Sequence, residues 1–315
     1  MRVFVAGATG ALGRQLVPQL VEAGHKVTGM TRSESKVARL RDLGAEAVVA
    51  DALDAESVGA AVATAEPGVV INQLTAISDD PDWRNPDKEF AATNRLRTEG
   101  TDILLSAAAA AGARRYIGQS FTGWPFARVG GPVKDEDAPL TDDPPKGVVE
   151  MLAAIRHLES AVTGAEGIEG VVLRYGGFYG PNTSLAADPD GSMVETVRKR
   201  KLPLVGKGAG VWSFIHIADA ASGTVAAVDR GDPGIYAIVD DDPAPVSEWL
   251  PALAEALGAK KPMRVPAFVG RIAAGPAAVV MMNEIRGASN AKAKRELGWS
   301  PGFASWREGF VSGLS

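Results

Sequence analysis

A strand-like run that breaks into regularly spaced glycines opens the chain. In VFVAGATGALG, Gly7, Gly10 and Gly13 recur every third residue between an apolar segment and a helical pattern. A backbone that passes directly from strand to helix through residues without side chains is turning tightly, which specifies a strand–turn–helix unit. The rhythm continues beyond it. Strand-like runs at MRVFVAG, HKVTGMTR, AEAVVAD, GVVINQLTA and RRYIGQS alternate with helical patterns near Gly10–Ala23, Ser35–Leu43 and Asn94–Ala111. Short apolar strands joined by helices build a parallel sheet covered on both faces, so the expected fold is α/β, a doubly wound Rossmann-type parallel sheet.

The later chain is less regular. Gly123–Lys146 is rich in Gly, Pro and Asp and reads as a loop, and VVLRYGGFYGPN as a strand running into a turn. Helices are expected near Ser192–Arg200, Val246–Leu257 and Pro266–Met282. The segment IAAGPAAVVMMN within the last is interrupted by Gly-Pro and reads as a packed helix or pocket wall, too short to span a bilayer. Residues 1–182, with a returning segment at about 211–240, are expected to form a dinucleotide-binding domain. Residues 183–210 and 241–315 are then a smaller C-terminal substrate-cap region, a division that suits 315 residues.

A formal charge of −5 without blocks of like charge argues against a nucleic-acid or anionic-membrane partner. The run Arg198-Lys199-Arg200-Lys201 reads as a solvated helix end. With no cysteine there can be no disulfide or thiolate chemistry, and a cytoplasmic location is expected, no signal-peptide pattern being visible at the start. A small-molecule substrate is the expected partner; a homodimer is left open, and no metal site is expected.

The glycine spacing lets a backbone approach a pyrophosphate, whose charge meets free amides at a helix start. The loop and first helical turn, Gly7, Thr9, Gly10, Ala11, Leu12 and Gly13, are therefore expected to bind a dinucleotide. An acidic residue usually follows about 20 residues later to hold the adenosine ribose, and an arginine there suits a 2′-phosphate. Here HKVTGMTRSESK puts Thr31 and Arg32 at that place, with Ser33, Lys36 and Arg14 near enough in sequence to assist. NADP is favoured over NAD.

GATGALG, VVADALD, VINQLTAIS, TNRLRTEGT, VVLRYGGFYGP, WSFIHIADAA and AKAKRELGWSP occur in this order over almost the whole chain. With these motifs the chain resembles the extended short-chain dehydrogenase/reductase superfamily, of the NAD-dependent epimerase/dehydratase kind. The resemblance implies that Asp51 and Ala52 lie near the adenine, and Leu74, Thr75 and Ala76 near the adenosine ribose or pyrophosphate. It places the turn from Tyr175 to Pro181 beside the nicotinamide and makes the C-terminal third a cap over substrate.

The family's chemistry uses a tyrosine as proton partner with a lysine four residues on, one helical turn away. Aligned on Leu158-Glu159, the segment PKGVVEMLAAIRHLES has Met151 in the tyrosine place and Ile155 in the lysine place. Phe121 stands where a serine or threonine is expected, between Ser120 and Thr122. Met151, Ile155, Leu158 and Val162 instead make an apolar stripe. His157 lies six residues from Met151, about 600° round the helix, and projects from another face, as a solvent-facing or pairing histidine. His216 is expected to pack or bond a neighbouring segment, and Asp219 to cap or anchor the following helix.

Ser120, Thr122 and Tyr179 are the remaining candidates for orienting a reacting oxygen, with Gln119 and Tyr175 beside the cofactor. Trp124, Phe126, Phe178, Trp212, Met281 and Met282 are candidates for an apolar pocket. The reading is an NAD(P)-dependent oxidoreductase acting by hydride transfer on a small organic or nucleotide-sugar-like substrate without the usual pair. Two alternatives stand beside it: a non-catalytic NADP-binding sensor or scaffold, and a cofactor-assisted isomerase or lyase.

Overall fold

A computed structural model describes residues 1–78, 85–187, 189 and 191–315 of the protein. The alternating pattern forms β1 (Arg2–Ala6), α1 (Ala11–Glu22), β2 (Lys26–Thr31), β3 (Glu46–Val49), α2 (Ala55–Ala65), β4 (Val69–Asn72), α3 (Thr101–Ala110), β5 (Arg115–Phe121), α4 (Val149–Thr163), β6 (Glu169–Tyr175), α5 (Ile217–Asp229) and β7 (Gly234–Ile238). These seven strands pair in parallel in the order β7-β6-β5-β4-β1-β2-β3. The order reverses between β1 and β4, and a doubly wound sheet binds its ligands in the crevice above that point.

Two apolar layers sandwich the sheet. Leu12, Leu16, Val17 and Leu20 of α1 pack with Ala220, Ala221 and Val228 of α5 on one face; Val58 and Val62 of α2, Leu104 and Ala108 of α3, and Leu158 and Val162 of α4 cover the other. Burying aliphatic side chains on both faces leaves the strands almost continuously apolar, as Val69-Val70-Ile71 shows. The helix α2 has no counterpart among the elements expected from sequence, because its alanines give little apolar periodicity. Its start is nevertheless marked: Asp54 accepts hydrogen bonds from the Glu56 and Ser57 amides.

Beyond β6 the chain builds a second core. Leu185, Val194, Leu204, Trp249, Leu253, Trp306 and Phe310 pack together, drawing on α6 (Val246–Ala256) and α8 (Trp306–Ser312), with α7 (Ala267–Asn283) lying between these helices in sequence. The last breaks at Gly275, whose φ of 86° lies in the left-handed region, immediately before Pro276. The returning strand β7 joins the main sheet beside β6. Among the described residues no helix is long and apolar enough to cross a membrane.

Candidate active site

The glycine turn has the geometry its sequence implies. Gly7 has φ 87°, and a Cβ there would lie 2.5 Å from the Gln73 carbonyl oxygen at the end of β4; a Cβ on Gly13 would lie 2.5 Å from the Ala8 carbonyl oxygen. Gly10 begins α1 with no side chain capping it and no acidic residue in the first turn. The amides of Ala11, Leu12 and Gly13 thus start a helix whose first turn carries no acidic residue, and its positive end suits a diphosphate. Arg14 ties this turn to the segment beyond β6, donating to the Thr9 carbonyl at 3.2 Å and to Asn182 Oδ1 at 2.6 Å.

Arg32 emerges, exposed, directly after β2, and Ser33 beside it shares a 2.8 Å hydrogen bond with Ser35. Asp51, also exposed, accepts from the Leu53 amide, while Ala52 is buried. After β4, Leu74 is partly buried, Thr75 exposed, and the Ala76 amide donates to Thr93 Oγ1 at 3.0 Å. Gly7, Arg32, Asp51 and Leu74 all follow the C-terminal ends of adjacent strands. A dinucleotide fits this chain by its own geometry: a cradle that a Cβ would fill, an uncapped helix start, and a cation beyond β2.

The candidates for chemistry separate. The Ser120 hydroxyl donates to Glu159 Oε1 at 2.7 Å, and Glu159 also receives Arg174 Nε at 2.8 Å and Nη2 at 2.7 Å. All three side chains are buried. Ser120 therefore belongs to a charge network beneath the site, because its strand position turns it toward α4. Tyr179, expected at the substrate, stands in the C-terminal core against His216, Phe303 and Phe310. Tyr175, expected beside the cofactor, points into the α1 side of the sheet, where its phenol meets Gln73 Nε2 at 3.2 Å and Thr224 at 2.6 Å. Burial raises the pKa of both phenols, opposite to what a proton relay needs. Gln119 is half-buried one residue before Ser120 and so faces the opposite side of β5.

Thr122 is different. It is buried just past β5, its amide donates to the Tyr175 carbonyl at 3.0 Å, and its hydroxyl has no partner among the described residues. Two residues on, Trp124 packs in one cluster with Phe90, Val148, Met151, Leu152, Ile155, Ala277 and Ile285, bordered by Phe121, Trp212 and Met281. The N-terminal part of the α4 stripe, Met151 and Ile155, thus faces a wall of flat aromatic and soft side chains to which Phe121 belongs, while Leu158 and Val162 pack on the sheet. Trp124, Trp212 and Met281 from the expected pocket gather here. Phe126, Phe178 and Met282 pack into other clusters. No tyrosine in the chain stands four residues before a lysine.

His157 pairs with Asp102 at 2.8 Å on the outside of α4, as its helical phase requires. His216 caps α5 through the Ala218 amide and contacts the Gly313 carbonyl at 3.0 Å. Asp219 anchors a segment other than its own helix, accepting from the amides of Gly302 and Phe303.

Sequence reasoning missed three arginines. Arg97 Nη1, Arg128 Nη1 and Arg286 Nε are out of contact with solvent and without a hydrogen-bond partner among the described residues. Burial pulls the Arg97 pKa down. Arg128 and Arg286 adjoin the aromatic cluster: Arg286 Nη2 donates to the Arg128 carbonyl at 3.1 Å and follows Ile285 in the chain. Only these unmet donors, which no linear pattern displays, mark them, since Arg128 Nε also pairs with Glu284 at 3.3 Å.

Ser120→Ala is expected to lower stability by about 1.5–3 kcal/mol, the usual worth of a hydrogen bond to a charged group. It should leave Kd for dinucleotide unchanged, which denaturant unfolding and fluorescence titration together check.

The parallel sheet, its switch point and the glycine cradle define a dinucleotide-binding α/β protein. The chain belongs to the NAD dependent epimerase/dehydratase family, which it matches over residues 3–238. It is 44% identical over 310 residues to the 3-diazoavenalumate denitrifying reductase of a Streptomyces species, covering 98% of this chain and 99% of that protein. It is 28% identical over 281 residues to a 4-hydroxy-2-methyl-3-oxo-4-farnesyl-3,4-dihydroquinoline-1-oxide ketoreductase of Stigmatella aurantiaca, covering 87% of this chain and 79% of that one. The UDP-glucose 4-epimerase of Thermotoga maritima, solved with UDP-glucose, shares the fold with a TM-score of 0.77 at 21% identity, over 100% of this chain and 97% of that chain. Reductase-named relatives along nearly the full length support an oxidoreductase-type enzyme.

Proposed function

We propose that this protein is an NADP-dependent reductase that removes nitrogen from a diazo or diazonium carbon of a small aromatic acid. The observation that carries the reading is the apolar stripe of Met151 and Ile155 where the family resemblance implies a proton-transferring pair. Reducing a carbonyl turns its oxygen into an alkoxide that must be protonated, and α4 offers nothing for that purpose. A bound reduced nicotinamide supplies a hydride, and at a diazonium carbon the new C–H bond forms as the C–N electron pair leaves with N2, so no oxygen needs a proton. The 44% identical relative, named for a diazo substrate and a denitrifying reduction, supports the same chemistry.

The chain's own residues fit the parts this reaction asks of them. Trp124, Trp212, Met151 and Met281 offer flat apolar surface to an aromatic ring and exclude water, which would otherwise compete for a diazonium carbon. Arg128 and Arg286 lie beside that surface, each with one donor unmet among the described residues although Arg128 Nε pairs with Glu284 at 3.3 Å, and suit the acid group. Thr122 keeps an uncommitted hydroxyl at the end of β5 for orienting a polar atom.

The test is turnover with NADPH deuterated at C4 and an arenediazonium carboxylate. One deuterium should enter the ring per N2 released, with no resolvable solvent isotope effect on the hydride step. Incorporation of solvent deuterium at that carbon, or reduction confined to carbonyl compounds, would exclude the mechanism. Tight NADPH binding with no turnover of any acceptor would favour the sensor reading.

The cofactor choice rests on Arg32. Arg32→Ala is expected to weaken NADPH binding by about tenfold or more, the loss of a charge-assisted contact to phosphate, while leaving NADH binding unchanged. Equal effects on both would return the choice to NAD.

A further inference from the structure

We infer that Arg97 is a binding residue for the nicotinamide half of the dinucleotide, its guanidinium donating to the ribose and adjoining phosphate from the β4–β5 crossover. The inference rests on the dinucleotide reading above and adds to it a cation that lies outside the glycine turn.

The level of Arg97 above the sheet follows from its neighbours four residues away on either side. Thr93 holds the Ala76 amide at 3.0 Å in the loop after β4, and Thr101 Oγ1 accepts from Asn72 Nδ2 at 3.2 Å at the end of that strand. Residues 93, 97 and 101 share one helical face, so Arg97 stands between these levels, at the C-terminal edge of β4. Seven residues before it, about two turns, Phe90 packs with Met151, Leu152 and Ile155 of α4. The helix carrying Arg97 therefore borders the same slot whose lysine place is occupied by Ile155.

The chemistry of the position points to a ligand. Arg97 Nη1 and both polar atoms of Asn94, one turn earlier, are sealed from solvent with no partner among the described residues. A buried cation without a counter-charge is costly to hold. Nothing among the described residues compensates this one, although Arg115 and Arg174, more deeply buried, are each paired with a glutamate. The backbone is also unusual here, since Leu96–Gly100 forms a π-helical turn, a feature that recurs at functional sites. A ribose phosphate would satisfy both groups, Arg97 with a planar fork of donors and Asn94 with a donor and an acceptor.

Arg97→Met should bind NADPH and reduced nicotinamide mononucleotide about 10- to 100-fold more weakly, the range for a lost charge-assisted contact, and bind 2′,5′-ADP normally. Arg97→Lys should recover part of the loss. The Tm of the nucleotide-free Arg97→Met protein should stay level or rise, because an unpaired buried charge has been removed. Unchanged NADPH affinity would overturn the inference, as would an equal loss for 2′,5′-ADP. A fallen Tm that Arg97→Lys restores without restoring nucleotide binding would assign the residue a structural role instead. A loss seen only in the KM of a diazonium carboxylate would assign it to substrate. If the wild-type protein bound none of the three nucleotides, the dinucleotide reading itself would fail and take this inference with it.

Discussion

Gly13→Val is expected to abolish dinucleotide binding, weakening Kd on the order of 100-fold or more, about 2.7 kcal/mol. At this position a Cβ would sit 2.5 Å from the carbonyl oxygens of both Gly7 and Ala8 and 2.5 Å from the Ala8 carbonyl carbon. All of these are backbone atoms of the turn itself, so no side chain can move aside to make room. Relief requires α1 to withdraw from the turn, which disperses the amides of Ala11–Gly13 that a diphosphate needs held together. Fluorescence titration with NADPH, on a variant whose circular dichroism shows it folded, measures the effect. Native affinity in such a variant would mean that the nucleotide binds elsewhere.

Glu159→Ala is expected to destabilise the protein by about 3–5 kcal/mol, more than Ser120→Ala does. Glu159 receives two nitrogens of Arg174 and the Ser120 hydroxyl within 2.8 Å, and both members of the ion pair are almost completely buried. Removing the carboxylate leaves a guanidinium in the protein interior beneath β5 and β6. What remains to it is the Glu136 carbonyl at 3.2 Å and the face of Phe126 at 5.5 Å. Urea unfolding reads the change directly, and a loss below about 1 kcal/mol would show that Arg174 finds water or another partner. Comparison with Ser120→Ala separates the network's charge from its hydroxyl, since that variant keeps the ion pair whole.

Residues that look alike in a sequence diverge in the fold. Ser120 and Thr122 are both small hydroxyl residues at the end of a strand, two positions apart. Ser120 belongs to an alternating strand whose even-numbered residues face α4, so its hydroxyl finds Glu159. Thr122 lies one residue past the strand's end, where the alternation no longer dictates direction, and its hydroxyl has no partner among the described residues. Tyr175 and Tyr179 make the same point on a larger scale. Both belong to the turn that the family resemblance places beside the nicotinamide, and both side chains are aimed into cores, while the Tyr175 carbonyl accepts from the Thr122 amide.

The linear chain determined whatever depends on near neighbours. The spacing of Gly7, Gly10 and Gly13 dictates a turn because steric exclusion acts between atoms a few bonds apart, and the strand–helix rhythm dictates a parallel sheet because each element must bury one face. The greasy face of α4 was legible for the same reason, as Met151, Ile155, Leu158 and Val162 follow one helical period. Helix α2 was overlooked because alanines bury too little surface to mark a face, although Asp54 signalled its start. Tertiary structure alone decided which polar groups are satisfied. Glu159 meets Ser120 and Arg174 across 39 and 15 residues, and Arg97 Nη1 meets no partner among the described residues, outcomes set by how distant segments converge. A hydrogen bond or an unpaired charge is a relation in space, and its energy depends on what water has been removed from around it.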